Sequence, residues 1–109
     1  MLGAVEPASS LRFAQAARRL GAATQAAGLA VPAFRSPPRQ AGSARTIRRY
    51  PGGAVISVRI KERPFDAVLS DMVEGVLVAN SVTGEAARRL GPTLRSAVTG
   101  EVDAPAQAA

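Results

Sequence analysis

Apolar residues recur at helical spacing near the start of the chain, and they predict an amphipathic helix from about residue 9 to residue 29. Arginine and glutamine fall largely off the apolar stripe. Ser9 or Ser10 can cap the first turn, and Gly28 marks the end. The stripe consists of Phe13, Ala16, Ala17, Leu20, Ala23 and Ala27. Because most of these side chains are small, another element can approach this helix closely.

The next segment, residues 31–44, has no helical or strand periodicity and is interpreted as a Pro/Arg-rich loop. Its prolines lack an N–H donor and have a fixed φ, which favours an extended, irregular connection. Within it, the stretch FRSPPR at 34–39 has the composition of a polyproline ligand for an aromatic groove. A connection that follows a helix needs no such role, and we favour the plain loop.

Residues 45–62 alternate in a way that predicts a β-hairpin. A two-residue turn at Gly52-Gly53 places Ile47 opposite Val58 and makes one face apolar. A three-residue turn would mix the two faces and is disfavoured. Arg45 and Arg49 fall on the apolar side, where the pattern offers no explanation except a rim position. The opposite, polar face carries Arg48, Tyr50, Ser57 and Arg59, with Lys61 beyond the paired region.

Helical spacing returns in the second half of the chain and predicts a helix over 65–79. The alternative is that Gly75 breaks this helix and that residues 76–79 form a third strand, which their β-branched content would suit. A final helix follows Thr83, with a kink or break expected at Gly91-Pro92.

These elements predict a small two-layer α+β domain in the order α-β-β-α-α. The hairpin, with the third strand as an alternative, would be covered on its apolar face by the first helix and by the helix that begins after Pro64. A chain of 109 residues suits one such domain. We expect residues 1–8 to be a flexible N-terminus, 9–99 the domain, and 100–109 a disordered tail. The core is rich in alanine and poor in aromatics, so a partner or a second copy could be needed to complete it.

Charge divides the chain into two halves, because no acidic residue lies between Glu6 and Glu62. Residues 1–63 carry a net charge of +9, from 11 basic and 2 acidic residues, and residues 64–109 carry −3, from 3 basic and 6 acidic residues. Such asymmetry indicates either that one half binds an acidic partner or that the two halves neutralise each other in the fold.

The composition excludes many enzyme designs, because the chain contains no cysteine and no histidine. Structural zinc sites, disulfides, thiol nucleophiles and Ser-His-Asp triads are therefore absent. Asp66, Asp71 and Glu74 share one helix face, and carboxylates are the ligands that hard cations prefer. A metal-dependent, phosphate-handling enzyme is therefore a remote alternative. A solvated or ion-paired face is the favoured interpretation. We assign no catalytic residue, no metal ligand and no cofactor.

The polar face of the hairpin is the best candidate for a binding site. Arginine pairs bidentately with phosphates, and an exposed tyrosine among arginines can stack on a base. The candidate contacts are Arg48, Tyr50, Arg59 and Lys61, with Arg35 and Arg39 from the preceding loop. The sequence thus predicts a non-catalytic binding protein whose basic half engages nucleic acid or an acidic protein surface. Pairing of this face with the acidic helix of the same chain is the structural alternative, and a subunit of a homo- or hetero-oligomer is the second functional hypothesis.

The strings VPAFRSPPR, RTIRRYPGGAVISVRI and DMVEGVLVAN resemble a family of small actinobacterial proteins of unassigned function, over about residues 11–98. The resemblance implies a bacterial cytoplasm and supplies no binding residue. No apolar run approaches the roughly 20 residues of a membrane span, and no secretory signal is evident, so we expect a soluble protein without a membrane partner. The arginine-rich, acid-free stretch 9–50 also has the character of a mitochondrial targeting segment, which leaves the mitochondrial matrix as the alternative location.

Overall fold

The computed structural model describes residues 7–37 and 43–100. The elements in chain order are α1 (Ser10–Ala26), β1 (Ala33–Arg35), β2 (Arg45–Tyr50), β3 (Gly53–Val58), α2 (Phe65–Ala79) and α3 (Gly84–Thr99). The strands form one mixed sheet in the order β1-β3-β2, in which β1 runs parallel and β2 antiparallel to β3. The predicted small α+β domain is confirmed, with one more strand than the order α-β-β-α-α contains.

Helix α1 begins and ends close to the predicted positions. The side chain of Ser9 accepts a hydrogen bond from the backbone N of Arg12 at 3.1 Å, as an N-cap does. The chain leaves the helix through Gly28, whose φ of +78° suits glycine. The predicted stripe is buried at Phe13 and Leu20 and extends to Thr24. The hydroxyl of Thr24 donates to the carbonyl of Leu20 at 2.6 Å, so this buried polar group is satisfied.

The third strand comes from the segment that was predicted to be loop. Residues 33–35 pair in parallel with β3, whereas residues 76–79, the alternative strand, belong to α2. The prediction that residues 31–44 form a loop is therefore wrong for residues 33–35. A strand of three residues next to prolines leaves little alternation to detect, and its partner lies about twenty residues further along the chain, beyond local patterning.

The β-hairpin is confirmed, but its turn lies one residue earlier than predicted, which shifts the cross-strand register by two residues. Tyr50 pairs with Gly53, so Pro51 and Gly52 form the turn. Proline has a φ fixed at about −65° and no N–H to donate, which suits the first central position of a turn better than a paired strand position. Gly53 then supplies a positive φ of +131° where the chain enters β3.

The two-residue shift in register changes the cross-strand pairs but not the faces of the sheet. Ile47 lies opposite Ile56 rather than opposite Val58. Because side chains alternate with a period of two, every hairpin side chain stays on the face predicted for it. The apolar face formed by Ile47, Ile56 and Val58 contributes to the core.

Helix α2 contacts both strands of the hairpin and both other helices. It packs on β2 and β3 and also on α1 and α3, which pack on each other. The prediction that α1 covers the hairpin is wrong, since α1 packs mainly on α2 and α3. The narrow alanine-rich stripe of α1 suits a helix partner, whereas α2 is apolar around most of its circumference. The buried residues of α2 are Phe65, Val68, Leu69, Met72, Val73, Gly75, Val76 and Leu77.

Helix α3 runs without interruption through Gly91-Pro92, where a kink or break was expected. Pro92 is exposed, so water can satisfy the carbonyl that loses its intrahelical donor. Leu94 and Val98 are buried at the predicted spacing.

Both ends of the described chain extend slightly past the predicted domain. Pro7 forms a bridge with Pro64, and the backbone N of Ala8 donates to the carbonyl of Arg63 at 3.0 Å. Gly100 ends α3 in the left-handed conformation. The rest of the predicted flexible N-terminus, 1–6, and of the predicted tail, 101–109, lies outside the described residues.

Gly75 marks the closest approach of α2 to the sheet. A Cβ at this position would lie 2.8 Å from Cγ2 and 2.9 Å from Cδ1 of Ile56, both well inside normal contact distance. Ile56 is fully buried in β3 and cannot move toward solvent. Only glycine therefore lets α2 lie at this distance from the strand.

We predict that Gly75→Ala destabilises the domain by about 1–3 kcal/mol through overpacking, although alanine is the better helix former. Gly21→Ala in α1 is the matched control, because its Cβ would meet only Val31 Cγ1 at 3.4 Å. That variant should be neutral or up to about 1 kcal/mol more stable. Urea denaturation followed by circular dichroism measures both, and a Gly75→Ala protein as stable as the parent would contradict the close packing.

Candidate functional site

Two arginines of β2 point toward α2 and hold it on the sheet. Nη1 of Arg49 donates to the carbonyl of Ala79 at 3.0 Å, and Nη2 lies 3.5 Å from the carbonyl of Val78. These carbonyls belong to the last turn of α2, where positive charge is favourable. Arg45 pairs with Glu74 of α2, with 3.3 Å between Nη1 and Oε1. The sequence pattern left the presence of Arg45 and Arg49 on the apolar face unexplained. These contacts with α2 account for it.

The three carboxylates of α2 are each paired with an arginine of the same chain. Besides Glu74, Asp71 accepts from Nη2 of Arg63 at 2.7 Å, and both side chains of that pair are largely buried. Asp66 is bound by Nη2 of Arg95 in α3. The acidic face of α2 is thus ion-paired, as the favoured interpretation had it. Its partners are not the candidate residues of the hairpin's polar face, so the predicted alternative of pairing between those two faces is not observed within the described chain.

The sheet surface turned away from α2 is here called the outer face. It is built from alternate residues of the three strands, and no helix packs on it within the described parts of the chain. Its members are Ala33, Arg35, Thr46, Arg48, Tyr50, Gly53, Val55 and Ser57. The register aligns Arg48 with Val55 and Ala33, and aligns Thr46 with Ser57 and Arg35. Strand β1 therefore brings Arg35 onto the same face as the hairpin residues.

Arg35, Arg48 and Tyr50 are all exposed on the outer face, and Tyr50 exposes 54% of its surface. Across residues 7–37 and 43–100, no carboxylate lies within 4.0 Å of the guanidinium groups of Arg35 or Arg48. The outer face therefore presents positive charge that the described chain does not neutralise, beside an exposed aromatic ring.

Two of the remaining candidates, Arg59 and Lys61, lie less centrally. Arg59 follows β3 and is half-buried, and its Nε is buried without an acceptor among the described residues. Lys61 is exposed, but it lies in the turn closed by the hydrogen bond from Arg63 N to Ile60 O at 3.2 Å, rather than on a strand. Arg39 lies outside the described residues. The structure thus brings Arg35, Arg48 and Tyr50 onto one face and places Arg59 and Lys61 at its margin.

Sequence reasoning missed Asn80, which fixes the approach to β1. Its Oδ1 accepts from the backbone N of Ala30 at 2.8 Å, and its Nδ2 donates to the carbonyl of Ala30 at 3.0 Å. The same Nδ2 donates to the carbonyl of Val76 at 3.0 Å. The end of α2 therefore holds the chain that enters β1. The one signal in the sequence was an asparagine directly after the predicted helix. That Asn80 binds Ala30, fifty residues earlier, could not be predicted from spacing along the chain.

Three comparisons, with protein-family models, with curated proteins and with solved structures, found no match to the chain. The resemblance to small actinobacterial proteins therefore remains a prediction. No helix in the described parts of the chain is long and apolar enough to cross a membrane. The described residues also contain no cluster of three or more acidic side chains that could hold a metal ion.

Some arginines bind groups of the fold, whereas others face outward. Arg48 and Arg49 are neighbours in β2 and belong to different groups, so substitutions at these two positions test the distinction. We predict that Arg49→Met lowers the free energy of unfolding by about 1 kcal/mol, because the last turn of α2 loses its cationic donor. Arg48→Met removes the same charge from the outer face and should leave stability within about 0.5 kcal/mol of the parent. Thermal melts of the two variants measure the difference, and equal losses would refute the separation.

Proposed function

We propose that the chain is a non-catalytic nucleic-acid-binding protein and that the outer face of the sheet is its contact surface. The observation that carries the proposal is the division of charge within the fold. The carboxylates of α2 are bound by Arg45, Arg63 and Arg95, whereas Arg35 and Arg48 have no carboxylate partner in the described chain. Unneutralised arginines on an uncovered surface favour an anionic ligand from outside the chain.

Nucleic acid fits this surface better than an acidic protein because of Tyr50. An aromatic ring with 54% of its surface exposed, on the same face as two arginines, matches the two ligand groups of a nucleic acid strand. The guanidinium groups bind phosphate oxygens, and the ring stacks on a base. An acidic protein surface would use the charges but would leave the ring without a matching group.

The hypothesis that the chain is a subunit of an oligomer remains a prediction, but the fold supports it less than the sequence pattern did. Its motivation was the thin core, and a second chain would complete that core by covering the apolar stripes of 68–77 and 87–98. Within the described chain, most of the first stripe is already buried against the sheet and the other helices, and Leu94 and Val98 of the second are buried too. We therefore favour binding through the outer face.

The double substitution Arg35→Gln with Arg48→Gln tests the proposal. It should weaken binding of a labelled single-stranded oligonucleotide by about tenfold or more at moderate salt, measured by fluorescence anisotropy. The slope of log K against log salt concentration should also fall in magnitude by about 1.4, because each phosphate contact to a single strand contributes about 0.7.

The matched control is Arg18→Gln with Arg89→Gln, which removes the same charge from exposed positions on α1 and α3. Both helices lie away from the outer face, so affinity should change by less than about threefold. Equal losses in the two double variants would show that net charge, and not this surface, controls binding. Tighter binding to poly-glutamate than to the oligonucleotide would replace nucleic acid by an acidic protein as the partner.

A further inference from the structure

A hollow lies at the tip of the β-hairpin, where the outer face ends. It has a volume of about 480 Å³ and is lined by residues 31–33, Tyr50 and residues 52–55, of which Ala54 belongs to the face turned toward α2. None of its lining residues is charged. The hollow lies between the chain that enters β1 and the turn of the hairpin, and Gly53 contributes no side chain to fill it. Its size is within the range of small-ligand sites, which are commonly apolar with polar groups at the edge.

Two walls of this hairpin-tip hollow are exposed apolar side chains. Tyr50 exposes 54% of its surface and Val31 exposes 48%, and both are large hydrophobic residues left outside the core. Their positions are fixed by the fold. Tyr50 ends β2, and Val31 directly follows Ala30, whose backbone N and O are both hydrogen-bonded to the side chain of Asn80. The backbone on both sides of the hollow is therefore held by the fold.

The surroundings of the hollow identify the chemistry of its occupant. The occupant needs a flat apolar surface for Tyr50 and Val31, because the walls are apolar. It also needs anionic groups at its edge, because Arg48 lies in line with Val55 and Ala33, and Arg35 lies at the other end of β1. An unstacked nucleobase with its flanking phosphates has both properties.

We propose that the hollow receives one unstacked base of a single-stranded nucleic acid, stacked on Tyr50, while Arg48 and Arg35 bind phosphates on either side. This inference rests on the function proposed above and narrows it to single strands. Bases of a duplex are stacked on their neighbours and paired, so they cannot enter the hollow without a large unstacking penalty.

The composition makes the stacking directly observable. The chain contains one tyrosine, Tyr50, and no tryptophan, so its tyrosine fluorescence comes from the proposed site alone. The full chain is titrated with a mixed-sequence strand of about a dozen nucleotides, as DNA and as RNA, and with the duplex of the DNA strand. We expect saturable quenching by the single strands and affinity for them about tenfold or more above that for the duplex. The DNA and RNA arms show which sugar the site prefers.

Two substitutions separate the ring from its hydroxyl group. In anisotropy measurements Tyr50→Phe should bind the single strand within about twofold of the parent, because the stacking face remains. Tyr50→Leu keeps an apolar side chain but loses that face and should bind about tenfold more weakly. Circular dichroism confirms that both variants are folded, and neither changes the charge of the outer face.

The outcomes distinguish this inference from the proposed function. Binding that depends on Arg35 and Arg48 but leaves tyrosine emission unchanged, or that is equally tight for the duplex, would overturn the base site and leave the nucleic-acid function standing. A Tyr50→Leu protein that binds as tightly as the parent would do the same. If neither strand nor duplex binds, both proposals fail.

Discussion

The close approach of α2 to β3 determines where every other element lies. Gly75 has no side chain, and the helix therefore rests directly on Ile56 of the central strand. From that position α2 also contacts α1 and α3, so one helix joins the sheet to the rest of the core. An apolar helix surface on several sides is needed for this role, and the buried residues of α2 provide it.

The same packing decides which charges remain available for a ligand. Once α2 lies on the sheet, Glu74 meets Arg45, and the carbonyl groups at the end of the helix meet Arg49. Both arginines belong to β2, and strand alternation directs Arg48 between them to the opposite side. In β2, Arg45 and Arg49 therefore contact α2, whereas Arg48 has no such structural role in the described chain. A register slip of one residue would exchange these roles and place charge in the core.

Sequence patterns predicted the elements whose signals are local. The span of α2 and the two faces of the hairpin followed from periodicities of 3.6 and 2. The register was wrong because Pro51 was given a strand position, although its fixed φ and missing N–H favour a turn. Strand β1 escaped detection because three residues next to prolines show no alternation. The placement of Arg35 on the same face as Arg48 was missed for the same reason. The pairing of Asp66 with Arg95 and of Asp71 with Arg63 depends on how the helices pack, which spacing along the chain does not reveal.

Amide chemical shifts followed during titration with a single-stranded oligonucleotide would locate the contact surface residue by residue, and an 11.2 kDa chain suits two-dimensional NMR. Binding through the outer face should place the largest changes on Ala33, Arg35, Arg48, Tyr50, Val55 and Ser57, with little change in α1 and α3. Changes concentrated around Arg18, Arg88 and Arg89, with the outer face unaffected, would contradict it.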